Sequence, residues 1–186
     1  MLGLGNSITH ATRLPGGLIF TYNSDFTSNI DSWTQYSVEG DAWTFQAGQN
    51  PPGQSGNDWL KVTVTDTQTN MSGIKRNILS SINESVGDYL TFQYKIYLYH
   101  DGSTDHWEGT DEVSTYNFVG TFNPNPAAAQ DVALNTVATV GPHTLGPDSD
   151  GSYGDDLHIT FAVSSDNPQA GAVFYIKDVE LKLYTS

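Results

Sequence analysis

Residues 171–184 read Gly-Ala-Val-Phe-Tyr-Ile-Lys-Asp-Val-Glu-Leu-Lys-Leu-Tyr and carry the strongest strand signal in the chain. They are rich in β-branched and aromatic residues, with no glycine or proline inside the run. The alternation changes phase midway: Phe174 and Ile176 are apolar at even positions, Val179, Leu181 and Leu183 at odd ones. Side chains alternate faces along a strand, so both sets can point at one core only if an extra residue intervenes. The spacing therefore predicts a bulge at Lys177-Asp178 that re-aims Asp178 and frees backbone carbonyls beside it. Asp178 then has two readings, a bulge residue bonded to the backbone or a ligand for a structural cation.

The remaining alternations agree with an all-β chain. Leu60, Val62 and Val64 share one face of residues 59–65, and Lys61, Thr63 and Thr65 the other. Residues 89–99 are the longest alternation, with Leu90, Phe92, Tyr94, Ile96 and Leu98 on the core side. Tyr89, Thr91, Gln93, Lys95, Tyr97 and Tyr99 make its polar and aromatic side. Leu157, Ile159, Phe161 and Val163 line one face of another strand. Shorter candidates fall at residues 18–22, 34–37, 42–46, 71–79, 116–122 and 136–140. Between them run loops at 47–58, 100–114 and 141–156, dense in Gly, Pro, Asn and Asp. The expected fold is a jelly-roll β-sandwich of about eight to ten short strands over residues 18–186. Residues 1–17 end in Pro-Gly-Gly and read as an extended N-terminal arm, whose Leu2, Leu4, Ile8 and Leu14 are too apolar for a solvated tail.

Charge and composition exclude several functions. The formal net charge is −14, from 21 acidic and 7 basic residues. Nucleic-acid binding needs a basic stripe to displace counterions, and an anionic membrane surface needs the same. The chain has no cysteine, which removes disulfides and thiolate zinc sites. No apolar run approaches membrane-spanning length, and the N-terminus has no signal-peptide pattern. Catalysis has little to stand on. Glu108, Asp111 and Glu112 share an acidic loop with His100, Asp105 and His106, but any acidic loop offers such carboxylates. No nucleophile elbow, phosphate loop or dinucleotide fingerprint is present.

Four segments together resemble the galactose-binding-like jelly roll of carbohydrate-binding modules. Asn-Ser-Asp-Phe-Thr-Ser-Asn-Ile-Asp-Ser-Trp (23–33) is similar to that family's opening, Asn-Gly-Asp-Phe-Glu followed by Gly-Trp. Trp-Leu-Lys-Val-Thr-Val, Tyr-Leu-Thr-Phe-Gln-Tyr-Lys and Phe-Tyr-Ile-Lys-Asp-Val-Glu-Leu resemble its later strands in the same order. The resemblance implies a structural calcium between first and last strands, with Asp25 and Asp178 at the matching positions. Lys177 and Thr27 stand where the family has further acidic ligands. The start Met-Leu-Gly-Leu-Gly-Asn-Ser-Ile resembles small structural proteins of tailed bacteriophages.

These readings set the functional expectations. The first is a non-enzymatic virion protein, a capsid decoration or cement protein present in many copies or as a homo-oligomer. It would be made in the host cytoplasm without a signal peptide and dock on a major capsid protein. Leu2, Leu4, Ile8 and Leu14 would bury on the shell, and Arg13 would pair with a shell carboxylate. The alternative is glycan recognition, as a phage adhesin or a free carbohydrate-binding module. Tyr97, Tyr99, Trp107 and Tyr153 are the rings placed to stack on sugar or to cover a subunit interface.

Overall fold

The computed structural model describes residues 16–36, 43–67, 72–78, 88–102, 106–107, 112–119, 130–145, 156–161 and 168–185. Every regular element among them is a strand. In chain order these are β1 (Leu18–Asn23), β2 (Thr34–Tyr36), β3 (Thr44–Gln49), β4 (Trp59–Thr63), β5 (Ser72–Asn77) and β6 (Tyr89–Tyr99). They continue with β7 (Glu112–Val119), β8 (Gln130–Ala133), β9 (Val137–Leu145), β10 (Asp156–Phe161) and β11 (Val173–Tyr184). A six-stranded sheet runs β3-β4-β11-β6-β9 with β1 also on β11, and a five-stranded sheet runs β2-β5-β10-β7-β8. All named strand pairs are antiparallel. The two sheets bury one aromatic-rich core between them, the β-sandwich of jelly-roll type that the alternations predict.

Strand β11 is the spine of the larger sheet. One edge pairs with β6 along its whole length; the other is shared, Val173 to Ile176 with β4 and Glu180 to Tyr184 with β1. Lys177 pairs with Lys95 and Glu180 with Gln93, so β11 spends one residue more than β6 over this interval. Asp178 is that residue's neighbourhood, with φ 51° in the left-handed region. The bulge puts Phe174, Ile176, Val179, Leu181 and Leu183 all into the core. Ser24 closes its exposed backbone: Ser24 N donates to Val179 O, and Val179 N donates to Ser24 Oγ, both at 2.9 Å. The bulge therefore also fixes where β1 gives way to the following loop.

That loop is locked across the sandwich edge. The Tyr22 hydroxyl, from β1, donates to Asp31 Oδ2 and accepts from Trp33 Nε1 at 3.2 Å. Arg76, from β5 of the other sheet, donates to the Asp31 carbonyl and, at 2.9 Å, to its Oδ1. Its guanidinium lies 4.3 Å from the centre of the Tyr22 ring. Burial, and then the Asp31 carboxylate, hold the Tyr22 phenol protonated well above its usual range. Trp33 and Phe26 are buried in the core beneath this loop's contacts.

Three differences from the sequence reading have local causes. Strand β9 continues to Leu145, through Gly141-Pro142, where the composition predicts a loop from residue 141. Phe92 pairs with His143 and Tyr94 with Val140, so β9 carries an extra residue at this point. Bulges tolerate the missing N–H of proline, and Gly141 has φ 91° with its missing Cβ only 2.6 Å from the Phe92 carbonyl oxygen. Strand β7 begins at Glu112, inside the predicted acidic loop, because it pairs there with the short strand β8. At the N-terminal hinge, Gly17 O accepts from Thr185 N at 3.0 Å, and a Cβ on Gly16 would meet Thr185 O at 1.8 Å. The end of the predicted arm is thus already packed on the end of β11.

Candidate functional site

Each sheet turns one face outward, and both outward faces carry aromatic rings among polar groups. On the five-stranded sheet, Leu157, Ile159 and Phe161 of β10 enter the core. The alternate residues Asp156, His158 and Thr160 therefore face out, yet His158 is 6% exposed and Thr160 fully buried. Register aligns Asp156 with Asn77, His158 with Lys75 and Thr160 with Gly73 on β5, then Thr34 with Lys75 and Tyr36 with Gly73 on β2. On the other side of β10, Phe118 pairs with His158 and Tyr116 with Thr160.

The polar groups of this face hold one another in place. Lys75 Nζ donates to Asp156 Oδ2 at 3.0 Å, and Asn77 Nδ2 to Asp156 Oδ1 at 3.1 Å. The Tyr36 ring meets the His158 imidazole edge to face, centroids 4.6 Å apart. Lys75 and Asn77 keep the Asp156 carboxyl below the usual range against the opposing effect of its burial. Burial pushes His158 down to about 4, with Asp156 opposing and Lys75 reinforcing the shift. Such a face offers fixed donors and acceptors beside a ring, the composition of a small-molecule site.

His158 makes the fold acid-sensitive. Between its folded value near 4 and the ordinary 6.5, the unfolded chain binds a proton that the folded chain refuses. Stability then falls as pH falls through that window. The expected loss, with solvent reaching part of the ring, is about 1–2 kcal/mol. Thermal denaturation at pH 7.5, 6, 5 and 4 should show a shallower decline for His158→Gln than for the native chain. Parallel declines would remove His158 as the cause.

On the six-stranded sheet, Trp59, Tyr97 and Tyr175 form a cluster separate from the core, edged by Tyr99, Val137 and Val173. Register brings these together: Tyr175 of β11 lies between Lys61 of β4 and Tyr97 of β6, and Val173 between Thr63 and Tyr99. Tyr97 and Tyr175 meet edge to face at 6.1 Å. Lys177 Nζ lies 4.8 Å from the centre of the Trp59 ring and donates to Asp58 at 3.0 and 3.3 Å. Burial holds the phenols of Tyr97 and Tyr175 above their usual range, so both stay protonated donors at neutral pH.

Of the residues singled out in the sequence, Tyr97 and Tyr99 do share this outward face. Trp107 does not. It is fully buried, stacked edge-on against Phe161 at 5.2 Å and Phe174 at 6.4 Å, with Nε1 donating to Tyr99 O at 3.0 Å. No periodicity in residues 100–114 announces this burial. Leu2, Leu4, Ile8, Arg13, Leu14 and Tyr153 lie outside the described residues, as do Asp105, Glu108 and Asp111. Trp59, Tyr175, Tyr36, His158 and Thr160 were not singled out as site residues. The signal for Trp59, His158 and Thr160 was their place opposite the core-facing residues of their own strands.

The two carboxylates matched to a calcium site are engaged elsewhere. Asp25 Oδ1 accepts from Thr27 N at 3.0 Å and Thr27 Oγ1 at 2.7 Å, an exposed turn whose backbone bond lowers the Asp25 pKa. Asp178 accepts from Lys95 Nζ at 2.8 Å, which in turn raises the lysine's pKa. Calcium takes six to eight oxygens, and among the described residues no three acidic or histidine side chains gather around one point. Each of the two carboxylates thus has a donor of the protein's own, Thr27 for Asp25 and Lys95 for Asp178.

No family model matches the chain, and no curated protein matches it in sequence. Solved structures of similar fold do exist. One is the C-terminal family 22 carbohydrate-binding module of Clostridium thermocellum Xyn10B, with TM-score 0.55, 14% identity, and coverage of 86% of this chain and 90% of that one. A xylan-binding domain of the same family superposes with TM-score 0.57 and 14% identity, covering 89% and 95%. The tandem family 22 modules of Paenibacillus barcinonensis Xyn10C give TM-score 0.55 and 12% identity, covering 95% of this chain and 47% of that one. At these identities the likeness establishes a shared fold.

Proposed function

We propose that this protein is a non-catalytic glycan-binding β-sandwich, with the outward face of the five-stranded sheet as its sugar-binding surface. The observation that carries the proposal is the set of polar side chains held rigidly on that face around the Tyr36 ring. A sugar presents an apolar C–H face and a rim of hydroxyls. It needs a ring to lie on and donors and acceptors already in position, because a group left unpaired on binding costs affinity. Tyr36 supplies the ring, and Lys75, Asn77, Asp156 and His158 supply the fixed polar groups. The fold shared with carbohydrate-binding modules supports this reading over a shell role.

Affinity electrophoresis against a polysaccharide panel that includes xylan tests it. The native chain should be retarded by at least one neutral glycan, and Tyr36→Ala should weaken that binding about tenfold or more, the scale of one lost contact of about 1.4 kcal/mol. Retention unchanged in Tyr36→Ala would move the site off this face. No retention on any glycan would sink the proposal.

Capsid decoration is the second reading. It rests on the apolar arm and on Leu18 and Ile19, 54% and 43% exposed where that arm enters β1. Saturable co-sedimentation with capsids that is lost on deleting residues 2–14 would establish it. No association of the full chain would end it.

A further inference from the structure

We propose that the outward face of the six-stranded sheet is a second, independent binding site, and that its ligand is a carboxylate-bearing sugar such as a hexuronate. The opposite face of the sandwich carries the site proposed above, and neither site depends on the other.

The first ground is the ring cluster itself. Trp59, Tyr97 and Tyr175 occupy positions that point away from the core and form a buried cluster of their own, with Tyr99 partly exposed at its edge. The second is an orphan donor. The indole N–H of Trp59 is buried and has no hydrogen-bond partner, although the residue is only 1% exposed. Buried donors are nearly always satisfied, so one left open on an outward face marks a place for a ligand oxygen.

The third ground is charge. The chain carries −14 overall but has only 7 basic residues. Four of these, Lys61, Lys95, Lys177 and Lys182, stand on this one face. Three are matched there by carboxylates: Lys95 by Asp178, Lys177 by Asp58, and Lys182 by Glu180. Lys61 enters no ion pair among the described residues. It stands two residues along β4 from Trp59 and directly across from Tyr175. A local excess of one cation, beside rings, on an acidic protein complements an anion with an apolar face. Neutral sugars would leave Lys61 unanswered, and a simple anion would leave the rings and the indole N–H unused. A uronate meets all three, with its carboxylate on Lys61, a ring oxygen or hydroxyl on Trp59 Nε1, and its C–H face against Tyr99, the partly exposed ring at the edge of the cluster.

Titration calorimetry and tryptophan fluorescence with oligogalacturonate as probe, and unsubstituted xylo-oligosaccharide as the neutral control, test the proposal. The native chain should bind oligogalacturonate, more weakly as salt rises. Lys61→Met, which keeps the aliphatic stem, should lose at least tenfold in that affinity and leave xylo-oligosaccharide binding unchanged. Tyr36→Ala should leave oligogalacturonate binding intact, which separates this site from the one on the opposite face. Absence of oligogalacturonate binding, or equal binding by Lys61→Met, would overturn the proposal. So would loss of that binding in Tyr36→Ala. Self-association that Lys61→Glu abolishes, without oligogalacturonate binding, would instead make this face a contact between copies of the chain.

Discussion

Inserting one alanine between Val179 and Glu180 is expected to give a chain that does not fold. The residues after Val179 shift by one and exchange faces. Leu181 and Leu183, now fully buried, would turn outward. Glu180, Lys182 and Tyr184 would turn into the core. Two expelled side chains at about 1.5–3 kcal/mol each cost roughly 3–6 kcal/mol, before any buried charge is counted. Typical domains have a total stability of about 5–15 kcal/mol. The alternative is to keep the faces and break the ladders instead, because β1 and β6 are both paired to this half of β11. Deleting Asp178 is the control. It takes away the extra residue of the bulge, so Val179 follows Lys177 and the core-facing residues from Phe174 to Leu183 alternate regularly, with Lys177 still opposite Lys95 and Glu180 opposite Gln93. Asp178 itself does little: it is exposed and holds one surface ion pair with Lys95, worth about 0–1 kcal/mol. The deletion variant should therefore fold, with β11 straightened. Amide dispersion in NMR spectra and urea melts of the two variants decide it. An insertion variant with native dispersion would show that the phase of β11 does not hold the core.

The legibility of that bulge explains what else the sequence revealed. A period of two is a local property, so Phe174 to Leu183 disclose both strand and break without knowledge of any neighbour. The core faces of β4, β6 and β10 were readable for the same reason, and so was the outward placing of Tyr97 and Tyr99. Which outward residues meet was not readable. Trp59, Tyr97 and Tyr175 come from β4, β6 and β11, whose adjacency is decided by pairing between distant segments. The face around His158 likewise joins β2, β5 and β10. Strand β8 escaped notice because its four residues, Gln-Asp-Val-Ala, give only Val132 to the core. Short polar strands are how sheets protect their edges, so the weak signal reflects the position. Gly141-Pro142 misled in the opposite sense, since glycine and proline mark bulges as well as turns.

Trp107 is the clearest case of a residue whose role the surrounding composition disguises, and its removal should be costly. Trp107→Ala is expected to destabilise the fold by about 3–5 kcal/mol, in the range for truncating a buried aromatic. A surface ring of a sugar site would cost far less. Its indole fills the space between the sheets: Phe174 belongs to β11 of the larger sheet and Phe161 to β10 of the smaller, and the two rings also meet each other at 5.0 Å. Alanine leaves a cavity that neither phenylalanine can fill without leaving its own packing. It also strands the Tyr99 carbonyl, which now accepts from Nε1 at 3.0 Å. Trp107→Phe should recover part of the loss by refilling the volume, but not the hydrogen bond. Urea denaturation gives the stability change, and affinity electrophoresis of the folded fraction gives the binding change. A large stability loss with unaltered glycan retention assigns Trp107 to the core. Native stability with lost retention would return the ring to a binding surface, against a burial that leaves none of it in contact with solvent.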